Sequence, residues 1–241
     1  MTFVRDSMKT LVQRIFNVLL SLGAVTSFEA CRSLIESASS AQSRVVVWQL
    51  AVMNEAASVG LTKSGDPLTV GFVDGKAVQF DGKGDAFFID TNPLANLRQF
   101  TVEVLFRPDP KGETEQRFLH FGDASGDRVL LEIRLTRENQ WHLDAFIKSG
   151  DSSRTLVDKT LVHPTGAWYH VALVVDNGRM NTYVDGKHAL EGAIRFSPFH
   201  GGQTSIGVRM NNRYWFKGAI ATIRITPRCL TPDQLMRSAP C

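Results

Sequence analysis

Cysteine is scarce in this sequence. Its 241 residues include three cysteines, Cys31, Cys229 and Cys241, and none has the close Cys or His neighbours that zinc sites use. A zinc site is therefore not expected. If the chain is exported, Cys229 and Cys241 are predicted to form a disulfide that pins the C-terminal tail, and without export they stay free thiols.

Excess charge is also lacking. Lys and Arg total 27 against 24 Asp and Glu, which gives a formal net charge of +3. No segment concentrates the basic side chains, whereas nucleic-acid binding requires a basic patch or stripe. Nucleic acid is therefore excluded as a partner.

Apolar runs long enough to cross a bilayer comfortably are absent. The run at residues 15–25 follows Lys9 and Arg14 and has the length and flanks of a signal-peptide core. We therefore divide the chain into residues 1–41, a signal peptide or helical N-terminal anchor, and residues 42–241, one globular domain.

This division predicts a secreted or extracytoplasmic protein, which contacts a membrane only through an uncleaved N-terminal segment. Cleavage after Ser27, cleavage after Ala41 and a lipid on Cys31 are alternatives for the processing. The other reading of the segment is an amphipathic helix over residues 10–36 that packs on the domain.

Long helical periodicity is missing after Arg44. Short apolar or alternating runs recur instead between turn signals, as in a β-sandwich. The predicted strands are residues 45–50, 68–73, 77–80, 86–90, 100–106, 117–121, 128–135, 141–147, 168–175, 180–184, 204–208 and 218–225. Helices are expected only in the N-terminal segment and after Thr231, where Thr-Pro-Asp-Gln is a helix-start signal.

Asn177-Gly178 predicts a tight antiparallel hairpin.

Alternation sorts the strand residues between two faces, because successive side chains of a strand point to opposite sides of the sheet. The predicted core residues are Phe100, Val102, Val104, Phe106, Leu131, Ile133, Leu135, Trp141, Leu143, Ala145 and Ile147. The predicted outward residues are Thr101, Glu103, Leu105, Arg107, Glu132, Arg134, His142, Asp144 and Phe146. Two facing sheets with one core between them follow.

Six motifs then occur in a fixed order along the chain. They are KAVQFDG at residues 76–82, FTVE through Arg107-Pro108, WYHVALV at 168–174, YVDGK at 183–187, KGAIATIRI at 217–225 and the closing Leu230-Thr231. Together they resemble the laminin G-like jelly roll of the concanavalin A-like lectin/glucanase superfamily, over roughly residues 44–237. The resemblance implies an all-β, two-sheet antiparallel jelly-roll sandwich.

Catalytic residues are not expected. Glucanases of this superfamily place several carboxylates on alternate positions of one strand, because glycosidic cleavage needs two carboxyl groups held close together. No strand here has that series, although Glu103, Glu132 and Asp144 could still assemble across strands. The preferred interpretation of these acids is an ion-paired, solvated sheet face.

Calcium is the one cofactor that the sequence suggests. The resemblance implies a calcium site at the rim of the sandwich, but Ala221-Thr222 stands where an acidic ligand is usual. Asp81 and Asp85 still offer the oxygen ligands that calcium takes. The alternative is a turn stabilised by these aspartates.

Two sets of residues are candidates for ligand binding. The first combines aromatic rings with amide and guanidinium groups, as sugar-binding surfaces do: Asn211, Asn212, Arg213, Tyr214 and Trp215. Tyr214 and Trp215 could instead close the core. The second set forms one surface if its strands are neighbours: His120, Glu132, Arg134, His142 and Asp144. His170 is interpreted as a core histidine.

The sequence therefore predicts a binding module without catalytic activity. Its expected partner is a carbohydrate or a glycoprotein. An extracellular protein-interaction or structural module and a hydrolase with an unrecognised acid pair are the alternatives. A polar cleft with an aromatic side chain favours sugar, and a flat apolar patch favours protein.

Overall fold

The computed structural model describes residues 44–237, and these form two antiparallel β-sheets. The predictions for residues 1–41 and for Cys31 and Cys241 lie outside the described residues. Among residues 44–237, no helix has the length and apolar character needed to span a membrane.

The first sheet has eight strands. Numbered in chain order, they are β1 (Val46–Gln49), β3 (Leu68–Phe72), β4 (Gly75–Asp81), β6 (Gln99–Pro108), β12 (Tyr169–Asp176), β13 (Arg179–Val184), β14 (Lys187–Ala193) and β16 (Lys217–Thr226). Their order across the sheet is β14-β13-β12-β6-β16-β4-β3, and β1 also pairs with β16.

The second sheet also has eight strands. They are β2 (Leu61–Ser64), β5 (Ala86–Ile89), β7 (Glu115–Gly122), β8 (Arg128–Leu135), β9 (Gln140–Ser149), β10 (Ser152–Val157), β11 (His163–Pro164) and β15 (Gln203–Ile206). Their order is β10-β9-β8-β7-β15-β5-β2, and the short β11 pairs with β9. Both sheets connect strands distant in sequence, as the predicted jelly roll requires.

One hydrophobic core lies between the sheets. Every residue assigned to it by alternation is buried in the structure, including Phe100 and Phe106 of β6 and Trp141 of β9. The ring of Phe106 stacks on Phe118 with centroids 4.7 Å apart and meets Trp141 edge-on at 5.2 Å. The predicted all-β sandwich is confirmed, and burial of these aromatic side chains is its main source of stability.

The hairpin between β12 and β13 shows how the turn residues set the pairing. Asn177 and Gly178 both have positive φ, 48° and 90°. A two-residue turn with both φ values positive matches the twist of the flanking strands. Val171 accordingly pairs with Val184 and Asp176 with Arg179, so the predicted hairpin is confirmed.

The strands that the sequence did not predict are β2, β10, β11 and β14. The first, second and fourth lie at sheet edges, and β11 pairs only with part of β9. Their side chains are mostly exposed or half-buried. Hydrophobic alternation arises only where one face is buried, so such edge strands carry little of that signal.

Helix α1 (Leu50–Glu55) corrects a further prediction. The sequence assigned residues 45–50 to a strand and allowed no helix between the N-terminal segment and Thr231, whereas β1 ends at Gln49 and α1 follows directly. Only Leu50 and Ala51 of α1 are buried, and Val52 is 63% exposed. Six residues are too few to show helical periodicity.

Residues 227–237, the C-terminal cover, lie over the outer face of the first sheet. Leu230 and Leu235 pack against Ala172 and Tyr183, and the predicted helical region after Thr231 is a single 3-10 turn, Pro232–Gln234. The cover buries Glu103, which the sequence placed correctly on the outer face but did not expect to be inaccessible.

Glu103 connects the cover to the sheet. It accepts hydrogen bonds from Nε2 of His170 at 3.1 Å, from Nε of Arg224 and from the backbone N–H of Met236 at 2.6 Å. Burial alone would raise the pKa of Glu103, but these donors outweigh it and lower the pKa. His170 is fully buried on β12, where its ring donates a hydrogen bond to Glu103.

Candidate functional site

Charged side chains from three neighbouring strands converge on the outer face of the second sheet. Because β7, β8 and β9 are adjacent, Glu132 lies opposite Asp144, and Arg134 lies opposite His142. These are four of the five residues that the sequence grouped conditionally on neighbouring strands. The pairing also brings in Glu115 and Arg117 of β7, and we call the six residues the ionic face.

Arg134 is the centre of the ionic face. Its Nη2 lies 2.7 Å from Oδ2 of Asp144 and 3.3 Å from Oε2 of Glu132, and its Nη1 contacts Glu115. Arg117 extends the network, with Nη1 2.8 Å from Glu115 and Nε 2.9 Å from Glu132. The predicted ion pairing is therefore present. The predicted solvation is wrong for all three acids, since Glu132 is 2%, Asp144 3% and Glu103, on the other sheet, 0% exposed.

Burial has the largest effect on the pKa of Glu132. It raises the pKa of this carboxyl to about 7, against the lowering effect of Arg117 and Arg134 and with the support of Asp144. Arg134 on the same face does lower the pKa of Glu132, as an ion pair is expected to, but burial outweighs it and reverses the net shift. In contrast, the hydrogen bond from Arg117 lowers the pKa of the more exposed Glu115.

Two buried polar atoms of the ionic face have neither a hydrogen bond nor an ion pair. Asp144 uses Oδ2 to bind Arg134, while its Oδ1 is buried without a hydrogen bond, and so is Nδ1 of His142. Burial lowers the pKa of His142, which favours the neutral ring. Buried polar atoms without partners are rare in native proteins, and a bound ligand is one way to satisfy them.

Two cavities lie along this face. One, of about 680 Å³, is lined by Glu115, Arg134, His142, Asp144 and further residues of β8 to β10. The other, of about 150 Å³, is lined by Arg117, Arg128, Leu130, Glu132, Arg134, Asp144, Phe146, Thr155 and Arg209. Because Arg134, Asp144 and Thr155 line both, the two cavities are adjacent, and Asp144, whose Oδ1 has no partner, lies where they meet.

The loop of residues 209–215, which contains the first predicted ligand-binding set at 211–215, borders the same face. The ring of Tyr214 lies 3.7 Å from the guanidinium carbon of Arg117, and its carbonyl accepts a hydrogen bond from the Arg117 N–H at 2.9 Å. Tyr214 and Trp215 are half-buried, and the neighbouring Phe216 fills the core instead. Asn211, Asn212 and Arg213 are exposed. The structure thus places the two predicted surfaces side by side.

His120, the fifth residue of the second set, positions this loop. It is fully buried, and its Nδ1 accepts a hydrogen bond from the Met210 N–H at 3.1 Å while Nε2 donates to the Asp123 carbonyl at 2.9 Å. Burial lowers the pKa of His120 to about 4, so the ring is neutral at physiological pH. Its role in the structure is to hold two loops beside the ionic face.

Four residues that line the smaller cavity were not predicted as site residues from the sequence: Arg117, Arg128, Phe146 and Arg209. A β-bulge between Arg117 and Leu119 turns two consecutive residues, Phe118 and Leu119, into the core. Simple alternation cannot place Arg117 on the outer face across this bulge. Arg209 comes from a loop, whose position depends on contacts distant in sequence.

Asp81 and Asp85, the predicted calcium ligands, close a turn. Oδ1 of Asp81 accepts hydrogen bonds from the N–H groups of Lys83, Gly84 and Asp85, and Asp85 accepts from those of Asp66 and Asp81. Within residues 44–237, no cluster of three or more His, Cys, Asp or Glu could hold a metal. N–H donors on these oxygens fit a stabilised turn and not a calcium cage, and calcium binding at Asp81 and Asp85 stays a prediction.

The predicted disulfide also stays a prediction, because Cys241 lies outside the described residues. Cys229 lies near the start of the C-terminal cover, and its thiol donates to the Val175 carbonyl at 3.2 Å. Burial raises the pKa of Cys229 to about 11, which keeps the thiol protonated.

The fold and this face define an all-β, lectin-like jelly roll with a polar depression on one sheet. A laminin G family model, described as the concanavalin A-like lectin/glucanases superfamily, matches residues 80–236. The chain belongs to this family, which confirms the resemblance of the sequence motifs. A search of curated protein sequences found no match.

Several solved structures share the fold. Domain 4 of an extracellular arabinanase from Geobacillus stearothermophilus, in complex with arabinotriose, is 24% identical with a TM-score of 0.57, over 72% of this chain and 84% of that one. A SAP-like pentraxin from Limulus polyphemus is 18% identical with a TM-score of 0.53, over 66% and 78%. The binding domain of botulinum neurotoxin DC, in complex with SialylT, is 11% identical with a TM-score of 0.52, over 72% and 44%.

Proposed function

We propose that this domain is a non-catalytic carbohydrate-binding module whose ligand lies in the depression between the ionic face and residues 209–215. The observation that carries the proposal is Oδ1 of Asp144, a buried acceptor without a partner at the junction of two cavities. A sugar hydroxyl is the donor that this oxygen lacks.

The surroundings of Asp144 have the mixed character that sugar recognition uses. Phe146 lines the smaller cavity with Asp144, and Tyr214 lies against Arg117 at the border of the ionic face; both rings are half-buried and offer apolar surface to a sugar. Arg134 and His142 line the same depression and provide polar groups for hydroxyls. The arabinotriose complex of the similar arabinanase domain supports this class of ligand. A polar depression of this kind also favours sugar over a protein partner, which a flat apolar patch would suit.

The proposal predicts that a glycan array, probed at several calcium concentrations, shows specific binding by the wild-type chain. Asp144→Asn is expected to weaken that binding about tenfold or more, because a hydrogen bond to a charged group contributes about 1.5–3 kcal/mol. Asp74→Asn, an exposed turn aspartate on the other sheet, is the control and is expected to bind normally. Isothermal titration calorimetry quantifies both variants.

No binding to any glycan at any calcium concentration would contradict the proposal. A dependence on calcium that Asp81→Asn abolishes would support the calcium prediction. Urea unfolding of Asp144→Asn shows whether the fold tolerates the change, since Arg134 loses part of its ion pair in this variant.

The absence of catalysis is part of the proposal, although one observation favours the hydrolase alternative. Glu132 has a pKa of about 7 and its carboxyl shares Nη2 of Arg134 with that of Asp144, so an acid and a second carboxyl lie close together. Against this, Glu132 is almost inaccessible and a guanidinium occupies the space between the two carboxyl groups. A glycosidic bond has no room there.

We expect the purified chain to release no reducing sugar from a panel of β-glucans. The measurement is a reducing-end assay with Glu132→Gln and Asp144→Asn as matched controls. Release by the wild type that both substitutions abolish would establish the hydrolase and end the proposal of a non-catalytic module.

The proposal also places the protein outside the cytoplasm, on the basis of the apolar run at residues 15–25. Mass spectrometry of the chain from its native host is expected to find residues removed up to a point between Ser27 and Ala41, or an anchor retained at a membrane. An intact Met1 on a cytosolic species would refute this location.

A further inference from the structure

The smaller cavity of the depression is unusually rich in arginine. Of the nine residues that line it, four are arginines, Arg117, Arg128, Arg134 and Arg209, and two are acids, Glu132 and Asp144. With a pKa of about 7, Glu132 is about half protonated near neutral pH. The charged groups around this cavity therefore have a clear positive excess.

The two acids are already paired with two of the arginines. Arg134 binds Asp144 and contacts Glu132, and Arg117 contacts Glu132 and Glu115. Arg128 and Arg209 have no carboxylate partner among residues 44–237. Their charge is the part of the positive excess that the protein leaves without a counter-ion.

Arg128 and Arg209 are held in place by neutral carbonyl groups. Nη1 of Arg128 donates to the carbonyls of Ser125 at 2.8 Å and Gly126 at 2.7 Å, and Nη2 of Arg209 donates to that of Ala124 at 3.3 Å. The Nε atoms of both arginines are buried without an acceptor. Both guanidinium groups therefore keep donors for a further partner while their positions are fixed.

The two guanidinium groups also disfavour each other. Burial lowers the pKa of Arg128, and the nearby charge of Arg209 lowers it further. The charges of Arg128 and Arg209 also lower the pKa of His120, whose ring stays neutral at physiological pH. Two half-buried like charges that no carboxylate pairs with raise the energy of the unliganded protein, and an anion between them lowers it.

The remaining wall of this cavity suits a ring. Leu130 and Phe146 lie beside the arginines, and the guanidinium carbon of Arg128 is 5.0 Å from the centroid of the Phe146 ring. A volume of about 150 Å³ is enough for one charged substituent and part of the sugar that bears it. Arginine is well suited to carboxylate and sulfate groups because its planar fork donates two parallel hydrogen bonds.

We propose that Arg128 and Arg209 form an anion-binding subsite, so that the ligand of this face is an acidic sugar bearing a carboxylate or a sulfate. The inference rests on the proposed function and specifies its ligand class. The neutral part of the sugar lies against Asp144 and Phe146, and its anionic group lies between the two arginines.

The test compares anionic glycans with neutral partners of the same backbone. The pairs are oligogalacturonate with its methyl ester, sialyllactose with lactose, and a heparin oligosaccharide with its desulfated, N-acetylated, carboxyl-reduced form. Calorimetry at low salt is expected to show about tenfold or tighter binding of the anionic member in at least one pair. The pair that responds distinguishes carboxylate from sulfate.

Substitutions then locate the subsite. Arg128→Gln and Arg209→Gln are expected to weaken binding of the anionic member about tenfold or more, and so to remove the preference over the neutral member. Arg209→Lys, which keeps the charge without the planar fork, is expected to retain part of the preference. The control is Arg179→Gln, which changes an exposed arginine on β13 of the other sheet and is expected to keep the full preference for the anionic member. Thermal unfolding confirms that each variant is folded.

Equal binding of both members in every pair would overturn the anionic subsite and leave the proposed function standing. A preference that Arg128→Gln and Arg209→Gln do not change would overturn the placement of the subsite. No binding to any probe or any glycan of the array would refute the proposed function itself.

Discussion

Glu103→Gln is expected to lower the free energy of unfolding by about 3–5 kcal/mol, the largest change from any single substitution proposed for this chain. The carboxylate is fully buried and accepts from His170, Arg224 and the N–H of Met236. Glutamine keeps the shape but loses the charge, and its amide NH₂ is a donor. Arg224 and His170 are left facing it without a counter-charge.

Urea unfolding measures this change, and Glu55→Gln is the matched control. Glu55 also pairs with a basic residue, Lys76, at 3.1 Å, but the two side chains are 54% and 64% exposed. Exposed pairs contribute about 0–1 kcal/mol, because water screens the charges. An equal, small effect of both substitutions would show that the ion pairs of Glu103 do not stabilise the fold.

Hydrogen exchange adds a readout specific to the C-terminal cover. The N–H of Met236 donates to Glu103, so Glu103→Gln is expected to accelerate its exchange far more than that of the β6 amides. Unchanged protection of Met236 would mean that Leu230 and Leu235 hold the cover without help from the buried charge.

The strands with one buried face were predictable from the sequence, and those without one were not. In β6, β8 and β9 every second residue enters the core, and alternation assigned these faces correctly. In β14, which lies at an edge, no residue is fully buried and the pattern disappears. The C-terminal cover was missed for a different reason, because its contacts with Glu103 and Thr101 join residues more than a hundred positions apart.

Part of the candidate site was predictable as well, because alternation assigns side chains to the two faces of a strand. Alternation placed Glu132, Arg134, His142 and Asp144 outward, and whether they met depended on strand neighbours that only the fold supplies. The proximity of Tyr214 to Arg117 depends on a loop and on a β-bulge, and neither leaves a periodic signal. The degree to which Glu132 is buried could not be predicted from the sequence either. Burial raises the pKa of Glu132, whereas ion pairing with arginine alone would lower it.

The pH dependence of stability tests that reversal. The pKa of Glu132 rises from 4.5 to about 7 on folding, so protonated Glu132 is favoured in the folded protein. Its stabilising contribution is complete below pH 4.5 and is lost as the pH rises to about 7. Glu132→Gln removes this titration. Its free energy of unfolding, relative to wild type, is therefore expected to rise by about 3 kcal/mol between these pH values.

The matched control is Glu115→Gln on the same ionic face. Arg117 lowers the pKa of Glu115, so its contribution has the opposite sign: it is present above the unfolded pKa and is lost as the pH falls. Urea unfolding of the three proteins from about pH 3 to 8 measures both slopes, because the Glu115 contribution is lost below its unfolded pKa. The titrations of His120 and His142 cancel to first order in the differences. Relative to wild type, Glu132→Gln should gain stability with rising pH and Glu115→Gln should lose it. Parallel curves for wild type and Glu132→Gln would show that Arg117 and Arg134 keep this carboxylate ionised despite its burial.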